Sequence, residues 1–413
     1  MTTCEWGHTE LESALRRAGT RSAYIADLGL FEANLLRFLD AFRSRYPRSE
    51  VGYSYKTNYL PDFIRIANRH GARTEVVSRM ELDYAEALGF VGPGSLFNGP
   101  VKVRDDIAHA FRLGVTVIVD SVSEIRDALS TAEELATDEP AKVAIRCRLP
   151  RSTPGTRFGI DLRTESGRAA LAAIDASSSV ELVGLHVHHS GDRSAERYSL
   201  RILELIDLHE QELGSRPLEF LDIGGGFGSP LPPELVSQLG SDNPTFDTYA
   251  DAVAGPLLAA YGEDGPTLIA EPGMGLLAET TTFVTQVVRT KPGEDDSVAV
   301  VDGSIFNVKP LRSGINLPGD VVAGAGERYN GVWRFVGHTC MEIDVLRENH
   351  KGSVAEGDIL VMPNLGAYTT VLNAPFISPL PPILTIRGGL DSATVVRDSL
   401  AADNLAHIFG ARP

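Results

Sequence analysis

The sequence predicts an α/β fold, a (β/α)8 TIM barrel followed by a C-terminal all-β domain. Eight short β-branched or apolar runs recur between residues 51 and 273, separated by helix-like segments. Residues suited to chemistry gather at the C-terminal ends of those runs, the face where such barrels carry their sites. After about residue 276 the long helical patterns stop, and strand-like runs punctuated by proline and glycine take over.

The barrel runs cover 51–56, 73–78, 96–100, 115–121, 142–149, 182–190, 220–226 and 268–273. Helical patterns lie between them at 62–70, 79–88, 104–113, 123–135, 168–176 and 193–213. Asp62 and Ser78 are expected as helix N-caps, and Gly71, Gly89, Gly114 and Gly214 stand where helix C-terminal glycines belong. Runs that are apolar throughout fit strands buried on both faces of a parallel sheet. Eight units in about 225 residues fit a closed barrel better than an open, doubly wound sheet, which stays as the alternative. The second domain reads as strands at 280–289, 297–302, 331–336, 340–346 and 358–362, joined by one near 21–27. The expected division is a barrel over 28–275 and a β-domain over 276–413, with residues 1–27 added to the latter.

At 413 residues the chain can bury a sizeable core, and its 43% hydrophobic and 23% charged content is ordinary for a globular enzyme. A net charge of −17 argues against nucleic acid or an anionic membrane as partner, since both need a basic footprint. Cys4, Cys147 and Cys340 are too few and too scattered for a disulfide framework or a zinc site. The first residues lack the pattern of a signal peptide, and no run approaches the roughly 20 apolar residues needed to span a bilayer. A cytoplasmic protein is expected.

Lys56 closes the first barrel run, where desolvation biases its amine toward the neutral, nucleophilic form that condenses with aldehydes. Glu75 closes the second run, Arg146 lies in the fifth, and the sixth ends in His186-Val-His188-His189-Ser190. The seventh ends in Asp222-Ile-Gly224-Gly225-Gly226, whose glycines would let backbone N–H groups approach an anion. Lysine and phosphate cradle together point to a phosphate-bearing aldehyde, pyridoxal 5'-phosphate. Glu271, ending the eighth run before Pro272-Gly273, suits the pyridinium nitrogen of that cofactor. His188 could lie flat on the ring. His186 and His188 share a strand face, but no third ligand with fitting spacing stands out, so no metal is expected.

These residues resemble the fold-type III pyridoxal-phosphate decarboxylases, the family of ornithine, arginine and diaminopimelate decarboxylases. The likeness runs from Tyr53-Ser-Tyr-Lys-Thr-Asn58 to Gly366-Ala-Tyr368 and includes Thr156-Arg-Phe-Gly159, Asp302-Gly303 and Gly337-His-Thr-Cys340 with Asp344. It implies Lys56 as the cofactor lysine, Glu271 at the ring nitrogen, His188 on the ring and Gly224–Gly226 at the phosphate. It also implies Tyr368 on the cofactor from the same chain, and a homodimer with shared active sites. There Cys340 of one subunit donates a proton in the site of the other. An amino-acid substrate follows.

Departures matter as much. The family's phosphate-binding arginine after Glu-Pro-Gly is Met274 here, and its Gly-Ser is inverted to Ser190-Gly191, so Ser190 and backbone must suffice or another cation substitutes. Glu75 stands where aspartate is common. After the catalytic cysteine, where diamino-acid enzymes carry an acid, stand Met341 and then Glu342. A site that left a distal ammonium unpaired would lose roughly 1–3 kcal/mol. The expected reaction is therefore decarboxylation of a modified or conjugated amino acid of specialised metabolism, with Lys309, Arg312, Met341, Glu342 and Asp344 as candidates for reading its distal end. The alternatives are a diaminopimelate or other diamino-acid decarboxylase, a racemase or epimerase on the same scaffold, and a cofactor carrier without turnover.

Overall fold

Strand β1 (Ser22–Asp27) belongs to the β-unit described below, and the next eight strands form a closed parallel barrel. The computed structural model describes residues 6–189, 191–214, 216–228, 230–239, 243–294, 296–308, 315–400 and 402–410. The barrel strands are β2 (Ser49–Ser54), β3 (Arg73–Val76), β4 (Leu96–Phe97), β5 (Thr116–Val119), β6 (Ala141–Arg146), β7 (Val180–His186), β8 (Phe220–Asp222) and β9 (Thr267–Ala270). Each pairs in parallel with the next, and β9 returns to β2 through the register Val51↔Ala270, which excludes the open-sheet alternative. Leu96, Ile118, Ala144, Val183, Phe220 and Ile269, one from each of β4 to β9, form a single apolar cluster. Only the inside of a barrel brings six successive strands onto one cluster, so the centre is packed and chemistry is left to the rim.

The connections follow local rules. Ser78 caps helix Arg79–Ala87 by accepting from the Glu81 N–H. Gly71, Gly89, Gly114 and Gly214 all take positive φ after helices, as expected. Helix Pro61–Arg69 differs: Pro61 occupies the first helical turn and Leu60 the cap position, so Asp62 lies inside the helix.

The chain divides into two compact units, one of Asn34–Ser229 with Ser241–Leu276, the other of Met1–Ala33, Pro230–Gly240 and Leu277–Pro413. In the second unit β1 lies between β10 (Thr281–Lys291), antiparallel, and the later strand Ile383–Ile386, parallel. Around them come β11 (Ser297–Val301), β12 (Asp320–Val322), β13 (Tyr329–Val336), β14 (Val345–Val354) and β15 (Ile359–Met362). Strands β16 (Ile383–Ile386) and β17 (Thr394–Arg397) complete the sheet, in the order β14-β13-β11-β10-β1-β16-β17 with β15 joining β10 to β12. Leu11 and Leu15 of the first helix (His8–Arg17) pack on Ile25, Val284, Ile359 and Leu384 to make its core. The run expected as a strand at 340–346 is a turn up to Asp344, and β14 starts only at Val345.

Candidate active site

The residues singled out on the barrel runs meet at the C-terminal rim. Lys56 sits in a 3-10 turn (Tyr55–Thr57) directly after β2, its side chain 30% exposed. Its Nζ donates to Glu75 Oε2 at 2.7 Å and to Ser54 Oγ at 3.2 Å, and the Ser54 hydroxyl donates to the same carboxylate oxygen. Beside it Glu271 follows β9, the strand paired with β2, and next along the rim Asp222 ends β8 and His186 ends β7, all buried. His186 Nε2 lies 3.5 Å from Glu271 Oε1 and 3.2 Å from Asn98 Nδ2. Arg146, the last residue of β6, lies over the Phe158 ring at 4.5 Å with its Nε 3.7 Å from Asp120.

Three buried acids at one rim cannot all ionise freely. Burial, and then the charge of Glu271, push Glu75 up to about 7 against the pull of Lys56. Burial and Glu271 likewise hold Asp222 well above the usual carboxylate range. At Glu271 burial also works upward, but the His186 imidazole beside it, then Lys56 and His188, outweigh it and keep the group below its ordinary value. Glu271 is thus the acid held toward its ionised form, Asp222 the one held toward its protonated form, and Glu75 is poised near neutrality. Such separation is how one site holds both acid and base. Burial lowers His188 well below the ordinary imidazole range, so it is neutral near pH 7.

The glycine loop differs from expectation. The Gly224 N–H donates to Asp222 Oδ1 (2.8 Å) and the Gly225 N–H to His188 Nδ1 (2.8 Å), so two of the three amides expected at an anion are engaged within the protein. Gly224, at φ +66°, has no room for a side chain, since a Cβ would come 2.5 Å from Val187 O; one at Gly225 would come as close to Glu271 O. These glycines let the loop close between the ends of β7 and β9. Gly226 takes φ +93°. Gly273 packs against Thr57, beside Lys56, with its N–H donated to Glu271 O at 2.7 Å.

In the β-unit, Cys340, Met341 and Glu342 are exposed on the turn between β13 and β14. Asp344, expected at the substrate's distal end, is instead buried (2% exposed). Its Oδ1 accepts from Ser304 Oγ (3.0 Å) and Ile305 N–H (2.6 Å), and its Oδ2 from Thr339 N–H (3.1 Å), so it holds this turn together. Half-buried Tyr368 takes φ +58°, a strained conformation for a bulky residue and one that gathers at functional sites. Ser190, Lys309 and Arg312 lie outside the described residues.

Residues 32–278 match the family described as pyridoxal-dependent decarboxylase, pyridoxal binding domain. The chain belongs to the pyridoxal-dependent decarboxylase family. It is 28% identical over 378 residues to a diaminopimelate decarboxylase of Archaeoglobus fulgidus, covering 88% of this chain and 86% of that one. It is 28% identical over 375 residues to a chloroplastic ornithine decarboxylase of Nicotiana glutinosa, covering 86% of this chain and 81% of that one. Among solved structures, diaminopimelate decarboxylase of M. jannaschii superposes with a TM-score of 0.85 and its co-complex with L-lysine with a TM-score of 0.83, each at 22% identity and covering 98% of this chain and 94% of that one. At that identity the superposition speaks for the fold, a TIM barrel with a β-domain. The chain is a pyridoxal-phosphate-dependent decarboxylase acting on an amino acid, and the racemase and carrier alternatives are set aside.

The rim fits that cofactor. Glu271 Oε1 and Asp222 Oδ2 are buried and accept no hydrogen bond, and an ionised acceptor without a donor is what a protonated ring nitrogen would satisfy. Atoms of His186, Asp222 and Glu271 come within 4.8 Å of one another, so the structure supplies the companions of His186 that spacing did not show. Sequence reasoning left His186 and Asp222 out of the site although both stand inside motifs it used. Asn98 and Asp120 carried no signal, because only the folded barrel brings the end of β4 to that of β7, and only strand pairing brings the end of β5 to that of β6.

Proposed function

We propose that this enzyme removes the α-carboxyl group of an amino acid, with Lys56 holding the cofactor, Glu271 at its ring nitrogen and His188 against its ring. Gly226, Gly273 and Tyr368 are assigned to the cofactor as well. The observation that carries this reading is a pair of groups on neighbouring strand ends of one rim: an amine 2.7 Å from Glu75 and a Glu271 held in its ionised form, whose Oε1 has no donor. Pyridoxal phosphate, when bound, supplies an electron sink for the pair released at the substrate's Cα. Glu75, poised near neutrality, accepts a proton from Lys56 Nζ or returns one, so the amine can act as nucleophile or acid. Neutral His188, fixed by the Gly225 N–H on Nδ1, presents an uncharged ring face and adds no positive charge beside the reacting carbon. The active unit in this reading is a homodimer in which exposed Cys340 of one subunit returns a proton to Cα in the site of the other.

For the substrate, the favoured reading is an amino acid whose distal end carries no free ammonium. Its support is Met341 beside Cys340 and the enclosure of Asp344 by three donors. The second reading, diaminopimelate or another diamino acid, is supported by the relatives and by exposed Glu342. Holoenzyme incubated with ornithine, lysine, arginine, diaminopimelate and their distally acylated forms should release CO2 fastest from an acylated one. The expected preference is roughly 5- to 150-fold, the range that one unpaired buried charge produces. Preference for a free diamino acid selects the second reading, and CO2 from none of them would refute the assignment of residues.

A further inference from the structure

A guanidinium in a protein interior keeps its charge, and such buried charges are ordinarily paired. Arg201, on helix Ala195–Leu208, is fully buried, and among the described residues no carboxylate pairs with it. Two neighbours on that helix are engaged elsewhere. Arg197 pairs with Asp192 (3.1 Å), and Glu204 accepts from the Arg151 and Ser152 N–H groups (3.2 and 2.6 Å). The contacts of Arg201 are neutral groups: the Tyr198 ring, 4.4 Å from its Cζ, and the carbonyls of Ile223 (2.9 Å), Gly225 (3.4 Å) and His189 (2.8 Å).

Those carbonyls decide how the glycine loop faces. The peptide bonds here are trans, so the C=O and N–H of one peptide point opposite ways. Gly225 O is held on the helix side twice, by Tyr198 Oη (2.9 Å) and by Arg201, which turns the Gly226 N–H away from the helix. The Gly224 and Gly225 N–H groups are engaged by Asp222 and His188, so Gly226, at φ +93°, carries the amide that the triplet can offer an anion. His189 O binds the same guanidinium, so one charge sits behind the loops after both β7 and β8. Met274, just past β9, brings none.

We infer that Arg201 is the positioning residue and buried countercharge for the cofactor's phosphate, acting from behind the glycine loop. It does not touch the phosphate. It orients the Gly226 N–H toward it and supplies, through the peptide, the positive charge that Met274 does not. The phosphate in turn is the anion that a buried guanidinium without a carboxylate lacks. The inference rests on the proposed seat of the cofactor at this rim.

The test follows cofactor loss from purified holoenzyme in cofactor-free buffer by its visible absorbance, and then reloading with pyridoxal phosphate or with pyridoxal, which has no phosphate. R201Q keeps donors for the carbonyls and removes the charge, whereas R201K keeps the charge and loses the fork. R201Q should bind pyridoxal phosphate roughly 10- to 100-fold less tightly than wild type, and pyridoxal within about threefold of it. R201K should bind pyridoxal phosphate several-fold more tightly than R201Q, a rescue that a purely structural role does not give. Inorganic phosphate should also raise the melting temperature of wild-type apoprotein above that in chloride of equal ionic strength, because it binds the folded state. R201Q within about threefold of wild type, pyridoxal weakened as much as pyridoxal phosphate, R201K no better than R201Q, or no phosphate-specific rise in wild type would each overturn the inference. The last of these needs no variant and decides even where R201Q does not fold. K56A reports on the underlying reading: cofactor retained as in wild type puts the cofactor's seat elsewhere, whereas rapid loss in K56A with a normal R201Q condemns Arg201 alone.

Discussion

Replacing Asp344 by alanine separates two roles that its position allows. Were Asp344 a reader of substrate, its loss would change specificity and leave the fold alone. The structure argues otherwise, since the buried carboxylate satisfies the N–H groups of Ile305 and Thr339 and the Ser304 hydroxyl. The hydroxyl can turn elsewhere and the half-buried Thr339 N–H can reach water, but the buried Ile305 N–H cannot, and a buried donor left without a partner costs about 1–3 kcal/mol. The expected loss is therefore about 2 kcal/mol. The β-unit is near the 150–250-residue class in which each kcal/mol moves Tm by roughly 2–4 °C, so its transition should fall by about 6 °C. Calorimetry of holoenzyme reads this directly, with the barrel transition as internal reference. D344N, which keeps one acceptor oxygen, should fall part of the way. A D344A transition within about 2 °C of wild type, with KM for an amine-bearing substrate raised instead, would refute the structural role.

Glu75 gives the apoprotein a pH signature. A carboxyl raised from 4.5 to about 7 binds its proton more tightly folded than unfolded, so its burden on stability is absent below about pH 4.5 and grows until pH passes 7. At ~1.4 kcal/mol per pH unit the ceiling is about 3 kcal/mol, and the melting temperature of wild-type apoprotein should fall more steeply than that of E75Q between pH 5 and 7. Parallel profiles would contradict the raised value. The proposed shared site predicts complementation: mixing inactive K56A and C340A subunits after dissociation should restore about a quarter of wild-type activity, because half the dimers then carry one intact site. No recovery in a mixture shown to exchange subunits would remove Cys340 from the partner's site.

How much the sequence disclosed depended on whether a feature was local. The barrel strands announced themselves as apolar runs closed by glycines, and helix ends at Gly71, Gly89, Gly114 and Gly214 follow from backbone sterics alone. Boundaries suffered where chemistry residues were counted into strands. The run at 96–100 contracts to the two residues of β4, and Lys56 falls into a turn beyond β2. Cys340-Met-Glu-Ile-Asp344 alternates like a strand, yet a side chain that accepts three hydrogen bonds folds it into a turn, and periodicity carries no information about that. The glycine triplet was legible as a loop but not in its partners, since Gly225 meets His188 only once β7 and β8 are neighbours.

The central claim is that Lys56 is the residue to which the cofactor is attached, at a rim that carries an ionised Glu271 on the neighbouring strand end. Borohydride reduction of freshly purified holoenzyme, followed by proteolysis and mass spectrometry, should find the reduced cofactor on the peptide containing Lys56. Recovery of the label on another lysine, or a Lys56 peptide unmodified in protein that still carries the cofactor, would contradict the account.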